Sequence, residues 1–312
     1  MTKLMITGAN GFLGRNAVES LKQMFDETVL VDRPRKDWDE RVFSSWVHNN
    51  EVYHAVVGED VSFVNKLLQG VDTVVHLGNT SRIDPSWAYY QDYYTNNISN
   101  TQHFFQQCQQ MGVKKFIHIS SSSVYGNNGK QVQKETDPLM PTNPYGVSKM
   151  AGEWALYVQS QRANTELIIV RPFTMYGDFM DYGTNALVIA KFINAWEKGE
   201  PLILHGSGEQ RRDFLHVSDA VQGLKLIIEH GEHGDVFNLG TGKSVSIKQL
   251  ADCVSSKQIL GPDREGAISV THADITRLRN IGYTPNVNVL EWLTNHIEEL
   301  KLKSNNNLKE TV

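Results

Sequence analysis

The feature that most limits what this chain can fold into lies at its start. Leu4-Met5-Ile6-Thr7 is a short apolar run, and three glycines follow at a spacing of three, Gly8, Gly11 and Gly14. Such a run bounded by glycine reads as a buried parallel strand. Phe12, Leu13, Ala17, Val18, Leu21 and Phe25 then recur at helical spacing. The glycines therefore occupy a strand-to-helix turn, where the chain bends tightly and a ligand can reach bare backbone. The helix N-terminus adds free N–H groups and the positive end of a dipole, a combination suited to a pyrophosphate. Gly8, Gly11, Phe12, Leu13 and Gly14 are the expected contacts. Val29-Leu30-Val31 reads as a second strand, ended by Asp32. A carboxylate there accepts hydrogen bonds from an adenosine ribose and repels a 2′-phosphate, which favours NAD over NADP. Arg33, counted with Asp32 among the cofactor contacts, pulls the other way.

The rest of the chain continues this alternation. Strands are expected at 52–57, 71–79 and 115–119, and helices from Val64, from Asn97 to Met111 and from Pro144. Alternating strands and helices with short turns imply a doubly wound parallel α/β sheet. Asp60 and Val61 follow the third strand, where a carboxylate could meet the adenine amino group; Asp60 fits a helix N-cap equally well. Leu77 and Gly78 end the fourth strand, where the backbone can approach the cofactor. The polar stretch 33–50 is expected to be a loop and short helix over the adenosine end. Trp87, Tyr89, Tyr90, Tyr93 and Tyr94 form an aromatic cluster without basic neighbours, which reads as core rather than as a base-stacking platform.

Composition excludes several classes. The net charge of −5 gives no footprint of a general nucleic-acid binder. No apolar run approaches a membrane span, and the first strand leaves no room for a signal peptide. Cys108 and Cys253 are far apart without metal spacing, which reads as two core thiols in a reducing compartment, the cytoplasm by default. His230 and His233 read as an exposed loop, and no metal site is expected.

In a doubly wound sheet, chemistry gathers at the C-terminal ends of the strands. The fifth strand ends in Ser120-Ser121-Ser122-Ser123-Val124-Tyr125-Gly126, and the next helix carries Tyr145 and Lys149 four residues apart on one face. A phenol titrates near 10, too high for a base at neutral pH, and an adjacent ammonium or a positive nicotinamide favours the phenolate. Ser121 could steer a substrate oxygen toward it.

These residues carry a resemblance. The glycine turn, Asp32, Asp60-Val61, Asn96-Asn97-Ile98, Ser120 to Gly126 and Tyr145/Lys149 occur in order. Arg171-Pro172-Phe173 through Tyr176-Gly177, Asn185, Arg212-Asp213-Phe214, Asn238-Leu239-Gly240 and Arg264 then complete the set. Over nearly all of 3–300 the chain resembles an extended short-chain dehydrogenase/reductase of the nucleotide-sugar epimerase/dehydratase family, similar to UDP-glucose 4-epimerases. The resemblance implies a Rossmann domain over 1–175 with return segments near 213–245, and a smaller substrate lobe within 176–300. A polar tail over 303–312 is expected to lack structure. NAD is the implied cofactor, with Asn97 supporting its side of the site. Ser121, Tyr145 and Lys149 are the implied catalytic group. Ser122, Ser123, Thr174, Asn185, Arg212 and Arg264 are implied substrate contacts, the arginines because guanidinium forks suit phosphate. Arg211 reads instead as a surface ion pair.

The family's dehydratases carry an acid just after the catalytic Ser/Thr. The hydroxyls of Ser122 and Ser123 stand there, so 4-epimerisation is the expected reaction. A 4,6-dehydratase, a reductase and a non-catalytic NAD-binding protein are the alternatives. Thr271, at a position where some 4-epimerases carry a large residue, leaves room for a UDP-N-acetylhexosamine or a UDP-uronate. A homodimer through the helices near 97–111 and 145–160 is also implied.

Overall fold

The structure, a computed structural model, describes residues 1–34, 50–162, 164–183, 186–262 and 268–310, with backbone alone from 305. Asn185 and Arg264 lie outside these residues, as does most of the 33–50 stretch expected over the adenosine end.

The opening strand β1 (Lys3–Thr7) runs through Gly8 into α1 (Phe12–Lys22), and β2 (Glu27–Asp32) returns beside it. The next strand, β3 (Tyr53–His54), is only two residues long against the six expected, as befits the sheet edge it occupies. Then follow α2 (Val61–Leu67), β4 (Thr73–His76), and two single-turn helices, α3 (Asp84–Ala88) and α4 (Tyr90–Tyr94). A π-helical turn over Thr95–Asn100 leads into α5 (Thr101–Gln110), and β5 (Lys115–Ile119) follows. After a 3₁₀ turn at Ser122–Val124 come α6 (Pro144–Ser160) and β6 (Glu166–Pro172).

Among the described residues the main sheet has seven parallel strands in the order β11-β6-β5-β4-β1-β2-β3, with β11 (Val236–Leu239) added from the C-terminal half. Leu4, Ile6, Val75 and Ile117 bury one face against α1 and α8 (Val217–His230), which supplies Leu224 and Ile227. Met5, Val74, Phe116 and Ile169 bury the other against α5 and α6, through Phe104, Phe105, Cys108 and Leu156. Apolar side chains on both pleats explain why these strands read as continuous hydrophobic runs.

A third hydrophobic core lies in the C-terminal half, where a smaller lobe is expected. β7 (Thr174–Tyr176) pairs with β10 (Phe214–His216), and β8 (Leu202–His205) pairs with β13 (Gln258–Gly261). β9 (Arg211–Arg212) meets β12 (Val245–Ser246) antiparallel. Phe192 and Ile193 of α7 (Val188–Glu197), Leu250 of α9 (Ile247–Val254) and Leu293 of α11 (Val289–Glu310) pack together there. α9 starts with a capping box in which the Ser246 and Gln249 side chains bond reciprocally to the backbone. A short helix, α10 (Thr276–Asn280), precedes α11. α11 continues through the polar tail as far as Glu310, in place of the unstructured segment expected from 303.

No helix among the described residues is long and apolar enough to cross a membrane. The aromatic cluster also departs from expectation: Tyr93 is buried, whereas Trp87 and Tyr89 are each 63% exposed. α3 and α4 are single turns packed near α6, and Tyr93, whose ring meets Tyr145, is the cluster member that they bury fully. Of the two cysteines, Cys108 is core and Cys253 only half-buried.

Candidate active site

At the glycine turn Gly8 adopts φ +69°, and a Cβ on it would stand 2.7 Å from the backbone of Leu77 and Gly78. A Cβ on Gly14 would lie 2.5 Å from the Ala9 carbonyl oxygen. Both glycines are therefore required sterically, to bring β1, β4 and α1 together. Gly11 sits at the N-cap of α1 with no side chain over the free N–H groups. Asp32, almost wholly buried, accepts from the Asn10 N–H at 2.8 Å and the Arg33 N–H at 2.8 Å. Its carboxylate is thus fixed at the end of β2 beside the turn. Phe12 and Leu13 form the first turn of α1.

Asp60 occupies the N-cap position of α2 but does not cap it; its carboxylate accepts from the Val56 N–H at 2.7 Å. Asp60 and Val61 are both exposed just past β3. Leu77 and Gly78 continue β4 and bond back to Thr7 through its carbonyl and hydroxyl oxygens. The turn accommodates a dinucleotide: it offers a cradle of bare backbone, and it has orphaned polar atoms. The side-chain amide of Asn79, Asn10 Oδ1, Thr80 Oγ1 and Ser120 Oγ are buried at the strand ends with no hydrogen-bond partner among the described residues. Buried polar groups ordinarily find partners, so these fit a missing polar ligand.

α6 begins with Pro144, and Asn143 caps it by accepting from the Gly146 N–H at 2.8 Å. A Cβ on Gly146 would stand 2.7 Å from the Ser123 carbonyl oxygen, so the first turn of α6 lies directly on the 3₁₀ turn. That contact brings Tyr145 to Ser121. Tyr145 is half-buried. Burial raises its pKa, while the Ser121 hydroxyl as hydrogen-bond partner and the Arg82 charge pull it back down. The Ser121 oxygen also accepts from the Ser123 N–H at 3.1 Å, which orients it. Ser122 and Ser123 form the 3₁₀ turn itself.

Lys149 is 1% exposed, and its ammonium donates to the Ile119 carbonyl at 2.6 Å. Burial holds its pKa at about 7, with Glu153 pulling it upward. An amine titrating there is neutral over the range in which a phenol ionises. The cation whose charge reaches the Tyr145 phenol is Arg82, which sequence reasoning missed.

Below Lys149, His76 and His118 stack with centroids 5.8 Å apart. Burial, then the Lys149 charge, depress both, His76 to about 3, so the sheet beneath the site carries neutral imidazoles.

Lys149 has a stability consequence. Its pKa of about 7 lies below the ordinary 10.5, so between these values the folded chain binds fewer protons than the unfolded chain. Stability therefore rises with pH across that window, and the full penalty applies below it. Lys149→Met should raise the urea-unfolding midpoint at pH 6.5, with the gain shrinking by pH 9.5. A variant less stable than the parent at pH 6.5 would contradict this placement of the amine.

Asn97 lies in the π-helical turn, fully buried. Its amide accepts from the Thr80 N–H at 2.8 Å and donates to the Thr80 carbonyl at 2.9 Å and to Ser148 Oγ at 2.9 Å. It thus ties the loop after β4 to α6. Tyr93, also missed, donates from its hydroxyl to the Ser81 and Arg82 carbonyls, both at 2.9 Å. Arg82 itself has φ +95°, a conformation that costs of order 1–3 kcal/mol for a residue with a side chain.

Thr174 lines a cleft with Arg82, Tyr176, Asp181 and Phe214. Arg212, half-buried on β9, donates to the Arg211 carbonyl at 2.8 Å. Among the described residues Arg211 makes no ion pair of the expected kind; its guanidinium bonds to Ser244. Asp213, wholly buried, accepts from Thr241, Gly242 and Ala273 and so holds the 241–242 and 273 backbone segments together. Thr271 donates its N–H to the Arg211 carbonyl, and its hydroxyl is buried without a partner.

Residues 4–240 match the model of the NAD dependent epimerase/dehydratase family. The chain is 30% identical to dTDP-D-glucose 4,6-dehydratase of Mus musculus over 254 residues, 80% of this chain and 71% of that one. It superposes on the UDP-glucose 4-epimerase of Thermotoga maritima, crystallised with UDP-glucose, with a TM-score of 0.87. That match is at 26% identity and covers 97% of this chain and 99% of the other. The UDP-glucuronic acid 4-epimerase of Bacillus cereus, crystallised with UDP-glucuronic acid and NAD, gives a TM-score of 0.86 at 28% identity. There, 96% of this chain and all (100%) of the other are covered.

Proposed function

Because the chain belongs to the NAD-dependent epimerase/dehydratase family, we propose that it is a nucleotide-sugar 4-epimerase acting on a UDP-sugar. The observation that carries this reading is the convergence of Ser121 and Tyr145 at the mouth of the sheet, one helical turn from buried Lys149. Bound NAD supplies a reversible hydride acceptor, so that C4 is oxidised transiently and the hydride returns to the opposite face. The protein's own residues do the rest. The glycine turn and the α1 N-terminus bind the pyrophosphate, and Asp32 the ribose. Ser121 orients the C4 oxygen, and the Tyr145 hydroxyl takes and returns its proton. The Lys149 side chain meets the nicotinamide ribose. Arg212, with Asn185 and Arg264, takes the diphosphate, and Thr174 contacts the substrate.

Ser122 and Ser123 supply hydroxyls where a dehydratase would need a carboxylate to move a proton in the elimination step, which favours inversion over dehydration. The test is to incubate the protein with UDP-, dTDP- and GDP-sugars and follow the anomeric protons by NMR. A C4-inverted product supports the reading; a 4-keto-6-deoxy product would replace it with the dehydratase. NAD absorbance that persists through gel filtration marks a recycling enzyme.

We also propose a cytoplasmic homodimer. Trp154, Tyr157 and Val158 are 56%, 44% and 66% exposed on α6, an apolar face beside α5. Two copies of this pair of helices would cover it. Val158→Asp should shift gel-filtration and sedimentation from dimer to monomer; an unchanged dimer would place the interface elsewhere.

A further inference from the structure

Arg82 is a cation near the acid/base tyrosine that neither the glycine turn nor the serine–tyrosine–lysine set explains. It lies in the loop after β4, at φ +95°. Two side chains hold this loop in place. Asn97 bonds both the N–H and the carbonyl of Thr80, and Tyr93 bonds the carbonyls of Ser81 and Arg82 itself. Strained backbone persists where the surroundings over-determine it, and such places concentrate at ligand sites. The same Tyr93 ring packs edge-on to the Tyr145 ring with centroids 6.1 Å apart. The Arg82 backbone is therefore fixed one aromatic ring away from the phenol, and its charge reaches Tyr145.

The Arg82 side chain lines the cleft beside Thr174 and is 27% exposed. Its acid partner is Asp181, with Nη2 and Oδ2 3.7 Å apart, too far for a hydrogen bond. Asp181 belongs to the segment after β7 and lines the same cleft from the other side. The backbone that carries the cation is thus held by four hydrogen bonds, whereas the guanidinium meets its counter-ion only across 3.7 Å. A guanidinium so placed matches a planar carboxylate, which it can grip through two parallel bonds. C5 of a hexose is bonded to C4, so a carboxylate on C5 falls beside the oxygen that Tyr145 serves.

We propose that Arg82 is the specificity-determining residue at the sugar end, exchanging Asp181 for the C5 carboxylate of a nucleotide-linked uronate. This rests on the 4-epimerase reading for its chemistry, though not for its binding. A uronate replaces the Asp181 carboxylate by one with better geometry. A neutral sugar leaves Arg82 paired with Asp181 and gains nothing from the charge.

The experiment compares UDP-glucuronate with UDP-glucose, by calorimetric binding to the NAD-loaded protein and by C4 inversion. The wild type should favour the uronate. Arg82→Gln should lower the uronate-to-glucose ratio of kcat/KM by about 30-fold or more, chiefly through KM, as expected for loss of a charge-assisted bidentate pair. Arg82→Lys should restore part of it. Arg82→Gly, for which φ +95° is unstrained, should behave as Arg82→Gln does and so separates charge from loop conformation. Asp181→Asn should tighten uronate binding, whereas a purely structural bridge would give weaker binding of both sugars.

Equal losses for UDP, UDP-glucose and UDP-glucuronate in Arg82→Gln would mean that the diphosphate is what Arg82 holds, and would overturn the proposal. So would a wild type that binds the two sugars equally. If neither sugar is inverted yet the uronate binds preferentially through Arg82, the epimerase reading fails and this one stands.

Discussion

Tyr145→Phe should lower kcat for C4 inversion by about 10²–10⁴-fold, the range that a positioned acid/base contributes. The variant removes one oxygen and no packing. The phenyl ring keeps its edge contact with Tyr93, and Ser121 keeps the Ser123 N–H that orients it. Neither the cofactor turn nor the buried amine touches the lost atom, so NAD absorbance and the thermal midpoint should match those of the parent. NMR of the anomeric protons gives the rate, and gel filtration with absorbance gives cofactor retention. Retention of more than a tenth of kcat would show that another group moves the proton. Loss of both activity and NAD would show that the ring has a structural role instead.

Glu153→Ala is expected to have the largest effect on stability. Arg171 and Glu153 form a bidentate ion pair inside the protein, with Nη2 to Oε2 at 2.6 Å, Nε to Oε1 at 3.0 Å, and side chains 6% and 5% exposed. Arg171 also donates to Tyr125 at 2.9 Å, and Tyr125 in turn donates to Asn238 at 2.6 Å. The network therefore ties α6 to β6 and β11, and so fixes the helix that carries Tyr145 and Lys149. Removing the carboxylate leaves a guanidinium buried with neutral partners only, which costs about 3–5 kcal/mol. Replacing both charges, as in Glu153→Leu with Arg171→Met, should cost less than the single change, because no uncompensated charge is left. Urea unfolding of the three proteins decides it. A single variant within about 1 kcal/mol of the parent would show that water reaches the pair.

Much of the cofactor turn can be read in the sequence because it is local. Three glycines, the apolar strand before them and the periodic helix after them lie within a few turns of chain. Tyr145 and Lys149 are legible for the same reason, since helical spacing alone puts them on one face. Ser121 becomes legible through the rule that strand ends gather in such a sheet. Arg82 is not legible. Its place depends on a left-handed backbone angle and on bonds from Asn97 and Tyr93, residues that read as ordinary helix or core. Asp213 and the Arg171–Glu153 pair are hidden by separation: their partners lie 18 to 60 residues away. The aromatic cluster misleads because its spacing is helical, whereas the structure breaks it into two single turns and covers only Tyr93.

The segment after β7 crosses from the smaller lobe to the glycine turn. Asn16 on α1 donates to the Asp178 carbonyl at 2.8 Å, Arg15 lies 5.7 Å over the Phe179 ring, and Arg82 faces Asp181. A dinucleotide seated on the turn would therefore lie beside this crossing. A 4-epimerase returns the dinucleotide to its starting oxidation state in each cycle. If this chain works in that way, it is a self-contained redox circuit, uncoupled from the balance of oxidised and reduced carriers in the surrounding solution.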